Sequence, residues 1–575
     1  MSTILGKAPV SSWEDISREV DRSRFRQHKP LPASRAEYLQ SVRQGTAFLT
    51  FDFGIDGVSI EIAKYARILE SLYQPYGKSG LHFIAGDFFP QADSILKSHW
   101  SRFQIDGING WSKWDEGKWF DVLYFEEMPA DSQRSSELAT EIYRQATIIA
   151  GKLGEYLVAN GIGLLITVNV ASNPGNLALT LALVLITEAL GTVVINSNHD
   201  FYWDEGKPAA ERKPGEEPGK RDHFFRNVSN QPFFSLFQIL YPWQGRRWLQ
   251  VNINKRQSER LIKEYGFPPQ KVFEISTCVG NELFDDYQDE DVKHARLRMA
   301  NILSDGDSVI HPRSLSDHKR LLHKWMDAQI PQVIGAREGL SLDLLADDII
   351  YLLQPTRVIA RKRIERGVEL IQALLQGPLR AAFEQNRDRQ LVLHVTGPTP
   401  LEHQEDLETI LDTYRNLIDN LPSAFAERVF LAFSGGHETH ASFEEQYLED
   451  MNITDIYRMA TAVLFPSETE GRGLPIIESG AVGIPIICSR YQPEEVFADV
   501  IGEDLPEALR IHYLLFPEGE FSEAFLNEVA DQLTHPEAWT KWREHNRQAI
   551  RLRYSEAAMS AVFQRLLDHT YEIAT

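Results

Sequence analysis

The chain has 575 residues, 43% hydrophobic and 25% charged, a balance that fits a soluble globular protein of two to four domains. Its net charge of −23 excludes nucleic acid as the main partner but is compatible with a small basic pocket for an anionic substrate. The two cysteines, Cys278 and Cys488, lie in apolar runs; this excludes a disulfide framework or a cysteine metal site and points to buried thiols in a reducing, cytoplasmic setting.

Residues 1–44 are polar and charged and are expected to form an N-terminal extension with two short helices, without the sustained apolar core of a secretory signal. Residues 47–51 read as a buried strand, 52–57 as a loop containing Gly54 and Gly57, and 58–73 as a helix. That order opens a doubly wound half-domain. A second strand is predicted at 81–84 and an amphipathic helix over 135–160, while the Trp- and Phe-rich residues 90–130 follow no clear period. Residues 164–168 form another strand, ended by the turn 172–175. The apolar run 177–195 is interrupted by Glu188 and Gly191. It is predicted as a buried helix and a buried strand rather than a membrane span. His199 lies just past that strand, where open α/β sheets bind their ligands, and an imidazole there can contact a sugar hydroxyl or exchange a proton near neutral pH. A satisfied turn histidine is the plain alternative. The Pro-, Gly- and charge-rich residues 205–222 read as a surface loop placed to close over an acceptor. A strand at 248–252, a helix at 257–265 and a strand at 272–277 complete the first domain.

Residues 283–345 are longer than a simple connection requires and are expected to be an insertion or linker. His311, His318 and His323 lack metal spacing there, so residues 311–325 read as a solvated helix face. A second α/β pattern starts with a strand at 348–354. It continues into a loop carrying Arg357, Arg361, Lys362 and Arg363, then a helix over 364–375; four cations at a strand-to-helix loop suit a diphosphate. Strands are predicted at 390–395 and 429–433, followed by Gly397 and by Gly435 and Gly436. The most organised stretch is 465–489, FPSETEGRGLPIIESGAVGIPIICS. The strand 462–465 gives way to a loop with Glu470, Gly471 and Gly473, then a helix begun by Pro475 and closed near Gly483, then a strand at 485–488. The helix N-terminus offers free N–H groups to a phosphate, and Glu470 and Glu478 are placed to accept hydrogen bonds from hydroxyl groups on either side of it.

The run Glu470-Gly471-Arg472-Gly473-Leu474-Pro475-Ile476-Ile477-Glu478, with Gly483-Ile484-Pro485 after it, resembles the nucleotide-sugar motif of the retaining glycosyltransferases of family 4, in the group 1 glycosyltransferases. Arg472 stands where that motif has an aromatic residue. The resemblance implies an α/β GT-B architecture, two Rossmann-like doubly wound domains facing across a cleft. Its parts would be a 1–44 extension, an acceptor-side domain 45–282, the 283–345 insertion, a donor domain 346–535, and helices 536–575 crossing back to the first domain. It further implies transfer of a hexose, with retention, from a UDP- or GDP-hexose to a hydroxyl acceptor. No cofactor and no metal are expected, and a homo-oligomer is compatible with the reading. Arg357 and Lys362 would hold the diphosphate, with Arg361 and Arg366 as the alternative register. Glu470 and His199 would bind the donor sugar and Glu478 the ribose. Gly57, or alternatively Gly54, would face the phosphates, and Gly471, Arg472, Gly473 and Leu474 would line the donor site. A sugar phosphorylase, a sugar-nucleotide epimerase and a non-enzymatic scaffold of the same fold are the other readings.

Overall fold

The computed structural model describes residues 10–24, 34–54, 57–110, 122–123, 126–205, 227, 229–304, 309–315, 330–399, 404–435 and 452–574. Residues 206–222 of the polar loop, His318, His323 and Gly436 lie outside the described residues. The chain divides into two compact units, one formed by residues 1–277 and 559–575, the other by 278–558.

The first unit contains strands β1 (Thr46–Leu49), β2 (Asp52–Phe53), β3 (Leu81–Ala85), β4 (Asp87–Phe88), β5 (Ser101–Gln104), β6 (Leu164–Val168), β7 (Val193–Asn198), β8 (Trp248–Asn252) and β9 (Val272–Glu274). Seven of them make one parallel sheet in the order β5-β3-β1-β6-β7-β8-β9, and β2 pairs with β4 beside it. The apolar run 177–195 resolves into helix Leu177–Leu190 and β7. Asn176 caps the helix by accepting from the Leu179 N–H, and Gly191 ends it at φ +68°, the left-handed turn that glycine adopts without a Cβ penalty. No helix among the described residues is long and apolar enough to cross a membrane. The region expected as an N-terminal extension is instead part of this unit's core. Trp13, Ile16 and Val20 of helix Trp13–Arg24 are buried in it, and Trp13 Nε1 donates to Ser135 Oγ at 2.9 Å.

The second unit adds β10 (Arg313–Ser314), β11 (Gln332–Gly335), β12 (Ile350–Gln354), β13 (Leu391–Val395), β14 (Val429–Phe433), β15 (Ala462–Phe465), β16 (Ile486–Cys488) and β17 (Leu514–Leu515), in the order β10-β11-β14-β13-β12-β15-β16-β17. All its pairs are parallel except β11 with β14. Tyr351, Leu353, Val463 and Phe465 pack into one apolar cluster while Ile350, Leu352, Ala462 and Leu464 pack into another. Alternate residues of a strand point to opposite faces, so this sheet is covered on both sides, as its continuous apolar strands require. Residues 283–345 are not a separate linker: helix Asp289–Ser304 buries Ala295, Met299 and Ala300 in this core, and β10 and β11 extend the sheet. Of the described residues 311–315, Arg313 and Ser314 form the short edge strand β10 rather than a helix face. Only residues 559–575 of the expected return segment belong to the first unit, where Tyr38 Oη donates to Thr570 Oγ1 at 2.8 Å; residues 536–558 stay with the second.

Candidate donor-binding site

In the second sheet β12 is followed in sequence by β13 and β14 on one side, and by β15, β16 and β17 on the other. The loops leaving β12 and β15 therefore run in opposite directions. The crevice they open at the carboxyl ends of the strands is where doubly wound sheets bind ligands. Both loops are tightly built. The first, 355–363, turns into helix Ile364–Gln376 through Arg363 at φ +50°, a left-handed conformation that is costly for a residue with a Cβ. The second, 466–473, enters helix Leu474–Val482 through Gly473 at φ +63°. A Cβ on Gly473 would collide with Tyr491 Oη, so glycine is required here by conformation and by space. Among the described residues, nothing lies within 4 Å of a Cβ built on Gly57 or Gly471, so their packing does not demand glycine.

Side chains tie the two loops together. Lys362 Nζ donates to Glu470 Oε1, Arg361 reaches the Thr469 carbonyl and lies 3.8 Å from Glu470 Oε2, and Arg363 bridges Glu468 and Glu365. The Glu468 N–H donates back to the Arg361 carbonyl at 2.8 Å. Lys362 and Glu470 each keep only 11% of their side-chain surface exposed. Burial pushes the Lys362 ammonium below its ordinary pKa, against the upward pull of the Glu470 carboxylate. Glu478, in the first turns of helix Leu474–Val482, accepts a hydrogen bond from Tyr457 Oη at 2.7 Å. Tyr457 is fully buried, and burial followed by the neighbouring carboxylate holds its phenol protonated far above the ordinary range, so it remains a donor.

Of these groups, Lys362, Glu470 and Glu478 line one cavity of about 440 Å³, a size suited to a small-molecule ligand. Its wall includes Arg357, Lys362, Glu470, Arg472, Gly473, Leu474 and Glu478, with Thr356, Gly397, Pro398, Ile453 and Ile456 among the rest; Gly471 is not part of it. Arg366, the partner of Arg361 in the alternative register, lies in another cavity, where it donates to the Pro517 carbonyl at 3.0 Å and pairs with Glu369. Tyr457 and the apolar wall from Ile453 and Ile456 escaped the sequence reading. The signal present was the Asn452–Asp455 capping box, which starts the short helix Ile453–Arg458.

His199 and Gly57 belong to the first unit. His199 follows β7 with 9% of its surface exposed, and its carbonyl accepts from Gln257 Nε2 at 3.0 Å. The adjacent Asp200 is held by Asn169, which donates to Asp200 Oδ2 at 2.9 Å. Below them runs a buried ladder that the sequence reading missed: Thr167 donates to Asn196, Asn196 and Asn198 to Gln250, Asn198 to Asn252, and Asn252 to Ser258, all at 2.8–3.1 Å. Every member is hydrogen-bonded, so this polar layer fixes the strand ends beneath His199 at little cost. Gly57 is the first residue of helix Gly57–Tyr73, whose Ser59 Oγ accepts from the Gly54 N–H at 3.2 Å.

Residues 443–548 match the family described as glycosyl transferases group 1. No curated protein matches the chain at a significant level. Among solved structures, a glycosyltransferase from Rickettsia africae ESF-5 superposes with a TM-score of 0.51 at 13% identity, over 92% of this chain and 98% of that one. Anabaena Alr3699/HepE in complex with UDP and glucose gives a TM-score of 0.48 at 11% identity, over 91% and 99%. The sucrose-phosphate synthase of Thermosynechococcus elongatus gives 0.47 at 14%, over 92% and 100%. The chain thus has the GT-B fold, and its residues 443–548 match the model of the group 1 glycosyl transferases.

Proposed function

We propose that the protein transfers a hexose, with retention, from a nucleoside-diphosphate sugar, a UDP- or GDP-hexose, to a hydroxyl acceptor. The observation that carries this reading is the convergence of Arg357, Lys362, Glu470, Glu478 and the N-terminus of helix Leu474–Val482 on one cavity at the switch point of the second sheet. In it, Arg357 and Lys362 meet the diphosphate together with the free N–H groups of the helix, and so stabilise the charge that develops on the leaving group. Those fixed charges do what a divalent cation does in other transferases, so the reaction needs no metal. Lys362 exchanges part of its bond with Glu470 for a phosphate oxygen as the donor enters. Glu470 then accepts from the sugar hydroxyls, and Glu478, steadied by Tyr457, from the ribose. Arg472, Gly473 and Leu474 line the donor cavity, and the reading assigns Gly471, between Glu470 and Arg472, to the same donor site. The same reading assigns His199 to the donor sugar and Gly57 to its phosphates.

A thermal-shift screen with UDP, GDP and ADP and their hexose derivatives in EDTA, on wild type and Glu478→Ala, tests it. A ligand that binds the native state raises the midpoint. The expected result is a shift for one base, weakened in Glu478→Ala, and release of that nucleotide when the sugar derivative meets an acceptor. No shift with any nucleotide, together with a shift for a sugar phosphate, would replace the reading by a phosphorylase. Conversion of the donor without an acceptor would replace it by an epimerase.

A further inference from the structure

Away from the donor cavity, the second unit gathers Glu507, His512 and His545, none of which lines that cavity. One ligand-capable atom of each lies within 4.8 Å of those of the other two. Glu507 stands in the short turn Glu507–Leu509, His512 five residues later, and His545 on helix Thr540–Tyr554. His512 Nε2 is 2.9 Å from Glu507 Oε1, and the His512 and His545 rings are stacked at 4.1 Å with only 12° between their planes.

The surroundings hold the His512 backbone and one nitrogen of His545 in place. The backbone of His512 is clamped twice by Asn546: its N–H donates to Asn546 Oδ1 at 2.7 Å, and its carbonyl accepts from Asn546 Nδ2 at 2.8 Å. Among the described residues, His512 Nδ1 is buried without a hydrogen-bond partner, so no backbone group competes for that nitrogen. His545 Nε2 lies 2.9 Å from the Arg510 carbonyl, which can only accept; that nitrogen therefore carries the proton and leaves the lone pair on Nδ1. A ring N–H held by a backbone carbonyl is the usual outer partner of a metal-bound histidine. The group opposing a cation is Arg510, whose Nη1 lies 3.6 Å from Glu507 Oε2.

We propose that Glu507, His512 and His545 form a site for a first-row transition cation, zinc first among them. Two imidazoles and a carboxylate are a zinc donor set with the fourth position left to water, and bonds of about 2.0–2.1 Å bring the ligand atoms to roughly 3.4 Å from one another. The three groups reach that spacing by side-chain rotation. The bound ion ties the 507–512 segment to helix Thr540–Tyr554. That helix supports the donor helix: Ile550 packs in one core cluster with Ile476 and Ile477, and Arg543 Nε donates to the Gly483 carbonyl. The role is structural and separate from glycosyl transfer.

The test titrates Zn²⁺, and Co²⁺ as a spectroscopic probe, into full-length protein stripped with EDTA. One equivalent is expected to bind and to raise the thermal midpoint by about 2 °C or more. Co²⁺ should show visible bands without thiolate charge transfer, since no cysteine takes part. His545→Gln and Glu507→Gln should each weaken binding about tenfold or more, while His535→Gln, on the neighbouring turn, should leave it unchanged. Midpoints measured in EDTA establish that each variant is folded. Absence of saturable binding, or equal binding by wild type and His512→Asn/His545→Gln, would overturn the proposal.

Discussion

Lys362 and Glu470 are the residues on which stability and ligand binding meet. Each is nearly removed from solvent, and each is the other's counter-charge. Removing one partner of such a pair costs far more than the pair contributes, because the remaining charge is left stranded. Lys362→Met should therefore destabilise the protein by about 3 kcal/mol and abolish the nucleotide-induced thermal shift. Lys362→Met/Glu470→Gln should regain most of the stability, since no charge is stranded, yet still fail to bind the donor. Chemical denaturation of the three proteins, with the thermal shift measured in parallel, separates the two effects. A double variant no more stable than Lys362→Met would show that the pair is not the unit described here. Arg363, next in sequence, keeps the left-handed turn that glycine would adopt there at less cost, and its guanidinium is held by Glu365 and Glu468.

At the scale of elements, the donor site depends on how helix Leu474–Val482 begins. Gly473→Ala would force an L-residue into φ +63° and drive its Cβ into the Tyr491 ring. The expected cost is about 1–3 kcal/mol, with loss of nucleotide binding because the first N–H groups are re-aimed. Gly471→Ala, in open space, should leave stability within about 0.5 kcal/mol of wild type. Equal effects of the two substitutions on denaturation would refute the argument. This strand–loop–helix was legible in the sequence because its punctuation is local: an apolar run, Gly473, Pro475 and Gly483 mark each boundary. Arg357, Lys362, Glu470 and Glu478 were legible for the same reason, lying on two such loops. Tyr457 was not, because its partner Glu478 is 21 residues away and only the fold brings them together. The buried ladder of Asn196, Asn198, Gln250 and Asn252 was hidden too. β7 ends in the polar run Asn196-Ser197-Asn198 and β8 carries Gln250 and Asn252, and only the register of β7 against β8 aligns them. Residues 283–345 misled because β10 and β11 are too short for periodicity to show, and β11 joins the sheet antiparallel to a strand about a hundred residues away.

Over the whole molecule, the chain passes from the first unit to the second near residue 277 and returns near 559, so each unit's stability is read through a common backbone. Acid separates their buried groups. In the first unit Glu70 is partly desolvated, which raises its pKa, but hydrogen bonds from Lys97, His99 and Trp100 outweigh this and bring it to about 2. In the second, His394 on β13 is fully buried between Tyr351 and Ser434, and desolvation lowers its pKa to about 3. The sign is the same for both, because each folded-state pKa lies below the unfolded one. Their contributions are complete above the unfolded value and are lost as pH falls towards the folded value, from about 4.5 to 2 for Glu70 and from about 6.5 to 3 for His394. His82, half-buried in the first unit, is lowered by desolvation and adds a loss of the same sign below the ordinary histidine value of 6.5. Between pH 6.5 and 4.5, before Glu70 contributes, the second unit should thus weaken by up to about 1.4 kcal/mol per pH unit through His394 alone. His394→Gln removes that titration. It should lower stability at pH 7, where the imidazole's bonds to Tyr351 and Ser434 are lost, and flatten the fall in stability between pH 6.5 and 4.5. Denaturant midpoints of wild type and variant across that range measure the slope, and parallel lines would mean that the histidine is not the buried neutral group its surroundings require.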